Sequence, residues 1–112
     1  MKMNYILVKM ANCIDEILEF YSKSTDNNFK DFNREKWLYN SKYLMKLMKR
    51  LDKESDNYES IKNCIIFLMN LCFDIENPDH YHTKGKAIKE LSEGEKEDYK
   101  ILLKAECSTL LN

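Results

Sequence analysis

The scarcity of glycine and proline is the feature that most restricts the fold of this chain. Two glycines and one proline occur among 112 residues. A fold of many strands needs turn residues about every 8–12 positions, and this chain has too few of them. Its apolar residues recur instead at the three- and four-residue spacing of an amphipathic helix. The sequence therefore predicts an all-α fold.

The first two predicted helices each have one apolar face. Helix one occupies residues 3–22 and is followed by a polar stretch at 22–28, which has the composition of a turn. Helix two runs from Phe29 or Asn33 to Lys53. The predicted inner face of helix one consists of Met3, Leu7, Met10, Ile14, Ile17, Leu18 and Tyr21. The predicted inner face of helix two consists of Trp37, Leu38, Leu44, Met45, Met48 and Leu51.

The third predicted helix is apolar on most sides. The helix begins at Asp56, which together with Glu59 resembles a capping box. The helix ends at Glu76, before Asn77 and Pro78. A helix that is apolar almost all round is usually the centre of a bundle. Only a narrow polar strip interrupts it, formed by Glu59, Asn63, Asn70 and Asp74. If that strip faces water, an apolar rim would lie beside it at the surface, formed by Ile66, Met69 and Phe73.

The last third of the chain is predicted to hold a loop and two helices. The loop covers residues 77–85, and a short helix follows from Lys86 to Leu91. Ser92 and Glu95 have the spacing of a capping box and begin the last helix. The predicted inner face of that helix consists of Tyr99, Leu102, Leu103, Cys107 and Leu110.

These segments are expected to form one domain over residues 1–112. The chain is 44% hydrophobic and 33% charged, as is typical of an ordinary globular protein. Short connections favour a small antiparallel bundle of four main helices plus one short helix. No stretch approaches the ~20 apolar residues of a membrane span, so we expect no membrane association.

The cysteines are expected to be reduced. None of the four, at Cys13, Cys64, Cys72 and Cys107, forms a CxxC pair, and three lie in apolar helical runs. Cysteine in such a run behaves as a small hydrophobic residue. With no evident signal peptide, the sequence predicts a cytoplasmic protein with buried thiols.

No catalytic or cofactor-binding motif is present. Gly85 and Gly94 cannot form a phosphate-binding loop, and no GxSxG, HExxH or Walker pattern occurs. His80 and His82 are the candidate metal ligands, with carboxylates nearby, but no second ligand pair follows at a defined spacing. We interpret that segment as a solvated loop, and we expect no enzyme activity, no cofactor and no metal.

Helix two also has a cationic face, with two tyrosines alongside it. This face could be solvated surface, a protein-binding site or, because aromatic and basic groups alternate, a contact for nucleic acid. The basic residues of this possible contact face are Lys42, Lys46, Lys49, Arg50 and Lys53.

An acidic surface is predicted where the third helix ends and the last one begins. Acids in the first turn of a helix are favoured by its dipole, but this cluster is denser than a cap requires. An acidic surface suits the capture of a basic partner. The candidate partner-binding residues are Asp74, Glu76, Asp79, Glu93 and Glu97.

The expected function is therefore that of a small protein-binding module. Small size and the lack of a catalytic motif favour an immunity or antitoxin protein. The chain also has sixteen lysines and two arginines, a ratio typical of AT-rich genomes and mobile genes, where such proteins are common. Such a protein neutralises a cognate toxin, and the partner is expected to be basic, a toxin or nuclease domain. A viral or phage effector that binds a host regulator is the alternative. A nucleic-acid-associated factor using helix two comes next, although we do not expect nucleic acid as the partner, and the oligomeric state is left open.

Overall fold

The described residues of this computed structural model are all helical or connecting segments. They comprise residues 2–23, 33–77 and 90–108, and no strand occurs among them. The predicted all-α class is confirmed for these ranges. The predicted short helix at 86–91 lies outside them except for its last two residues. The helices are α1 (Lys2–Lys23), α2 (Arg34–Lys49), α3 (Tyr58–Glu76) and α4 (Glu93–Glu106).

Helix α1 has the predicted apolar face. Leu7 and Leu18 from the predicted set are half-buried, and the side chain of Met3 lies outside the described residues. The face repeats every three or four residues because a helix turns once in about 3.6 residues. Its buried members are Ile6, Met10, Cys13, Ile14, Ile17 and Tyr21.

Helix α2 is shorter than predicted. The side chain of Asn33 accepts a hydrogen bond from the Lys36 amide (3.1 Å) and begins the helix. The helix ends at Lys49 rather than Lys53, because residues 52–55 form a turn in which the Ser55 amide donates to the Asp52 carbonyl (3.0 Å).

The predicted inner face of α2 is partly wrong. Trp37 and Leu44 are buried as expected, and Leu51 is buried just beyond the helix. Leu38 and Met45, however, are 38% and 45% exposed. Each follows a buried residue by one position, which rotates it about 100° around the helix axis and away from the core. Leu47, which the prediction omitted, is buried in their place.

Helix α3 supplies the largest share of the core. Its buried residues are Ile61, Cys64, Ile65, Leu68, Leu71, Cys72 and Ile75. Its other side faces water, since Asn63, Asn70 and Ile66 are exposed and Phe73 is 55% exposed. The apolar rim beside the polar strip therefore exists, with Met69 half-buried within it.

The two predicted capping boxes have different outcomes. At α4, the Ser92 side chain accepts from the Glu95 amide (3.2 Å) and the Glu95 carboxylate accepts from the Ser92 amide (3.0 Å). At α3, the predicted box of Asp56 and Glu59 is wrong, because the N-cap is Asn57 and its side chain makes no capping hydrogen bond.

The core lies where α3 meets the other helices. Helix α2 packs chiefly against α3, and α4 chiefly against α1. Arg34 Nη2 at the start of α2 donates to Asn77 Oδ1 just after α3 (3.0 Å), so these two helix ends are adjacent. Tyr99 and Leu103 of α4 are buried as predicted, whereas Leu102 is 37% exposed and Leu110 lies outside the described residues. No helix in these ranges is long and apolar enough to cross a bilayer.

The prediction of four reduced thiols is wrong for two of them. Cys64 of α3 and Cys107 at the end of α4 form a disulfide, with their Cα atoms 5.7 Å apart. That Cα separation is typical of a disulfide. Cys13 and Cys72 are free thiols and are buried, as predicted.

Candidate partner-binding surfaces

One of the predicted acids, Asp74, lies beside a buried tyrosine pair. Tyr21 at the end of α1 and Tyr99 of α4 stack with ring centroids 5.5 Å apart and an interplanar angle of 1°. Burial raises the pKa of Tyr99, and the Asp74 and Glu95 carboxylates raise it further. Burial, Tyr99 and Asp74 likewise raise the pKa of Tyr21. Asp74 of α3 and Glu95 of α4 therefore lie close enough to Tyr99 to act on the same hydroxyl.

Two of the predicted acids have lysine partners on their own helix. Glu97 is exposed, and its Oε2 lies 2.7 Å from Lys100 Nζ. That hydrogen bond, together with the charge of Lys100, lowers the pKa of Glu97. Glu93 Oε1 lies 3.5 Å from the ammonium of Lys96, a residue that is itself buried. These pairs partly neutralise the first two turns of α4.

The remaining predicted acids lie at the end of α3. Asp74 and Glu76 are both half-buried, and Asp79 lies outside the described residues. The structure thus brings Asp74 of α3 close to Tyr99 of α4. It also shows that Asp74 contributes to the surroundings of the tyrosine pair, a role that the sequence did not indicate.

The predicted basic face is present on the outer side of α2. All five of its residues are exposed, and no carboxylate within the described ranges pairs with them. Three lie in the helix, Arg50 is its C-cap and Lys53 lies in the following turn. Like charges at this spacing repel one another and are tolerated because each is solvated.

A cleft that the sequence did not predict lies between α1 and α2. It has a volume of about 180 Å³. Tyr5 and Tyr43 join the two helices through their hydroxyls, which are 2.6 Å apart. This hydrogen bond is the main reason that the pKa of Tyr43 is raised to about 12. Tyr39 packs on Tyr43 with ring centroids 5.9 Å apart and is 64% exposed. The cleft is lined by Lys9, Asn12, Cys13, Glu16, Tyr39, Asn40, Tyr43 and Leu44.

The cleft offers polar and aromatic contacts. Glu16, which lines the cleft, is paired with Lys36, whose Nζ lies 2.8 Å from Glu16 Oε2. In the sequence, the cleft is indicated only by Tyr39 and Tyr43, which are four residues apart on α2. Tyr5 precedes Tyr43 by 38 residues, and periodicity cannot pair residues so distant.

Metal binding has no support in the described ranges. No group of three or more His, Cys, Asp or Glu side chains is placed there to hold an ion. The segment with His80 and His82 lies outside those ranges.

Comparison of the chain with protein-family models, with curated proteins and with solved structures finds no match.

Proposed function

We propose that this chain is a small, non-catalytic protein-binding module, an immunity- or antitoxin-type inhibitor of a cognate toxin. The observation that carries the proposal is the convergence of acids from two helices on one surface. Asp74 of α3 and Glu95 of α4 act on the same tyrosine, and exposed Glu93 and Glu97 continue the surface along α4. Residues 90–108 carry six acidic and three basic side chains.

An acidic surface of this kind matches a basic toxin or nuclease cleft. Complementary charge accelerates the first encounter, and a few buried contacts then supply most of the affinity. Phe73 supplies a large apolar side chain near the acids, since it is one residue from Asp74 and more than half exposed. The partner surface would therefore combine positive charge with an apolar contact.

The proposal includes the cytoplasm as the compartment and an antiparallel arrangement of the helices. The adjacency of Arg34 and Asn77 supports opposite directions for α2 and α3. Disulfides are rare in the cytosol, where thiols are kept reduced. The Cys64–Cys107 disulfide would be an exception in that compartment, and alkylation in intact host cells followed by mass spectrometry shows whether the bond is present there.

The test begins with the protein purified from its native host together with any bound partner. Inhibition is confirmed if the chain suppresses the partner's toxic activity at a one-to-one ratio. Association rates are then measured with a variant that removes three acids, Asp74→Asn with Glu93→Gln and Glu97→Gln. We expect slower association at low salt and a smaller difference at high salt, since screening shortens the range of charge.

A matched control removes three charges from the other surface. Lys42→Gln with Lys46→Gln and Lys49→Gln should leave association unchanged or accelerate it. Slower association of this lysine variant, with the acidic variant unaffected, would contradict the proposal.

The exposed basic residues of α2, with exposed Tyr39 on the same helix, favour a nucleic-acid-associated factor as a second candidate. Binding to phosphate would show a steep fall of affinity with salt, and the lysine variant would reduce that slope. An effector that binds a host regulator through a groove between its helices is the remaining alternative, and the α1–α2 cleft of about 180 Å³ is the candidate groove.

A further inference from the structure

The two free cysteines of the core form a close pair. Cys13 Sγ of α1 and Cys72 Sγ of α3 are 3.8 Å apart. Both side chains are buried, and Cys72 is fully enclosed. Cys72 follows Cys64 by eight residues, so α3 carries one sulfur directed to α4 and another directed to α1.

Cys13 can be reached from the surface through the cleft between α1 and α2. Cys13 lines the cleft between α1 and α2, beside Lys9 and Glu16. Tyr39, whose side chain is mostly exposed, also lines the cleft. Its volume of about 180 Å³ holds a molecule as small as a peroxide, since one water occupies about 30 Å³ in the liquid. Cys72 lies behind Cys13 and does not line the cleft.

The surroundings of Cys72 keep it protonated. Its contact with Cys13 and its burial raise the pKa of the Cys72 thiol, and the charge of Glu16 raises it further. Cys72 is therefore a poor first nucleophile, because a thiolate is the reactive form. Its position next to Cys13 suits the second step of an oxidation, in which a neighbouring thiol resolves an oxidised one.

We propose that Cys13 and Cys72 form a reversible oxidation site at which hydrogen peroxide produces a second disulfide. In the first step Cys13 sulfur attacks a peroxide oxygen, the O–O bond breaks and one water leaves, which gives Cys13 sulfenic acid. In the second step Cys72 sulfur attacks Cys13 sulfur, the S–O bond breaks and a second water leaves. Two thiols and one peroxide give one disulfide and two waters, and the two electrons pass from the sulfurs to the peroxide oxygens. A dithiol reductant reverses the change.

The product would link α1 to α3 while Cys64–Cys107 links α3 to α4. The new bond would close a loop between residues that are 59 positions apart. Loops of this length restrict the unfolded chain strongly. This inference concerns the thiols alone and is independent of the proposed function.

The test treats the purified full chain with hydrogen peroxide and maps its disulfides without reduction. Trypsin leaves Cys64 and Cys72 on one peptide because no lysine or arginine lies between Lys62 and Lys84. A second digestion with chymotrypsin, which cuts after Phe67, separates the two cysteines. We expect a peptide that links Cys13 to Cys72, and a thermal midpoint raised by about 5 °C or more. The dithiol reductant should remove the linked peptide and lower the midpoint again, and it also reduces Cys64–Cys107, so reduced chain without peroxide treatment is the reference.

Two variants, each lacking one cysteine of the pair, identify the first residue to react. In Cys72→Ser, peroxide should stop at Cys13 sulfenic acid, which a carbon-nucleophile probe labels. In Cys13→Ser, Cys72 should resist both peroxide and the probe. If these variants do not fold, the peptide map of the wild-type chain decides alone. Cys13 sulfinic acid without the link, or two unmodified thiols after peroxide has oxidised exposed methionines, would overturn the proposal.

Discussion

Leu68 shows how a single side chain reports on the centre of this fold. It is fully buried on α3, on the face shared with Ile61, Ile65 and Cys72. Ile66 lies on the same helix only two positions earlier and is 38% exposed. The two residues therefore separate the effect of burial from that of helix propensity.

We predict that Leu68→Ala lowers the free energy of unfolding by about 2–5 kcal/mol, because it removes buried contacts and leaves a cavity. Ile66→Ala should cost less than about 1 kcal/mol, since its side chain is partly in water in both states. Urea denaturation followed by circular dichroism measures both. Equal losses for the two variants would show that α3 is not the buried centre.

The Cys64–Cys107 disulfide and the α1–α2 cleft could not be predicted from the spacing of individual residues. Cysteines inside apolar runs were expected to act as small hydrophobic residues, which is the outcome for Cys13 and Cys72. Cys64 and Cys107 are 43 positions apart, and no local spacing indicates that their sulfurs meet. The contact between Tyr5 and Tyr43 could not be predicted for the same reason, because it depends on how α1 and α2 pack together.

At the level of the helices, prediction succeeded where local chemistry decides the outcome. The apolar face of α1 and the Ser92 capping box follow from side chains within four residues of one another. The inner face of α2 could not be predicted in this way, because its apolar residues form two overlapping stripes. Local periodicity could not choose between Leu47 and Met45, and packing against α3 buries Leu47.

The helix caps provide a second matched comparison. Ser92 satisfies the Glu95 amide at the start of α4, whereas Asn57 makes no side-chain capping bond at the start of α3. We predict that Ser92→Ala lowers the free energy of unfolding by about 1 kcal/mol, and that Asn57→Ala changes it by no more than a few tenths. Thermal denaturation of the two variants distinguishes them. A larger loss for Asn57→Ala would show that the α3 cap contributes in a way not visible in its hydrogen bonds.

Across the whole molecule, charge is separated by element. Helix α2 carries five basic side chains and one acid, while residues 90–108 have twice as many acids as bases. The net charge of −1 conceals this separation. The excess of acids in residues 90–108 is read directly from the sequence. The position of Asp74 and Glu95 near the Tyr21–Tyr99 pair depends on the packing of α1, α3 and α4.

The disulfide is the whole-molecule feature with the largest expected effect on stability. Replacing Cys64 and Cys107 together by alanine should lower the free energy of unfolding by about 2–4 kcal/mol, mainly because the unfolded chain gains freedom. Chemical denaturation of this double variant, compared with the wild type before and after reduction, measures the loss. Identical midpoints for oxidised and reduced wild type would contradict the prediction.

The bond between Cys64 and Cys107 also determines what a protease can release. A single cut anywhere between these residues leaves two pieces that are still covalently joined, whereas a cut before residue 64 frees the N-terminal piece once the core opens. A second bond between residues 13 and 72 would interleave with the first along the chain, since 64 lies between 13 and 72, and 72 lies between 64 and 107. No single cut between residues 13 and 107 could then divide the protein. After oxidation, a single cut between residues 13 and 107 would leave all parts of the protein covalently joined.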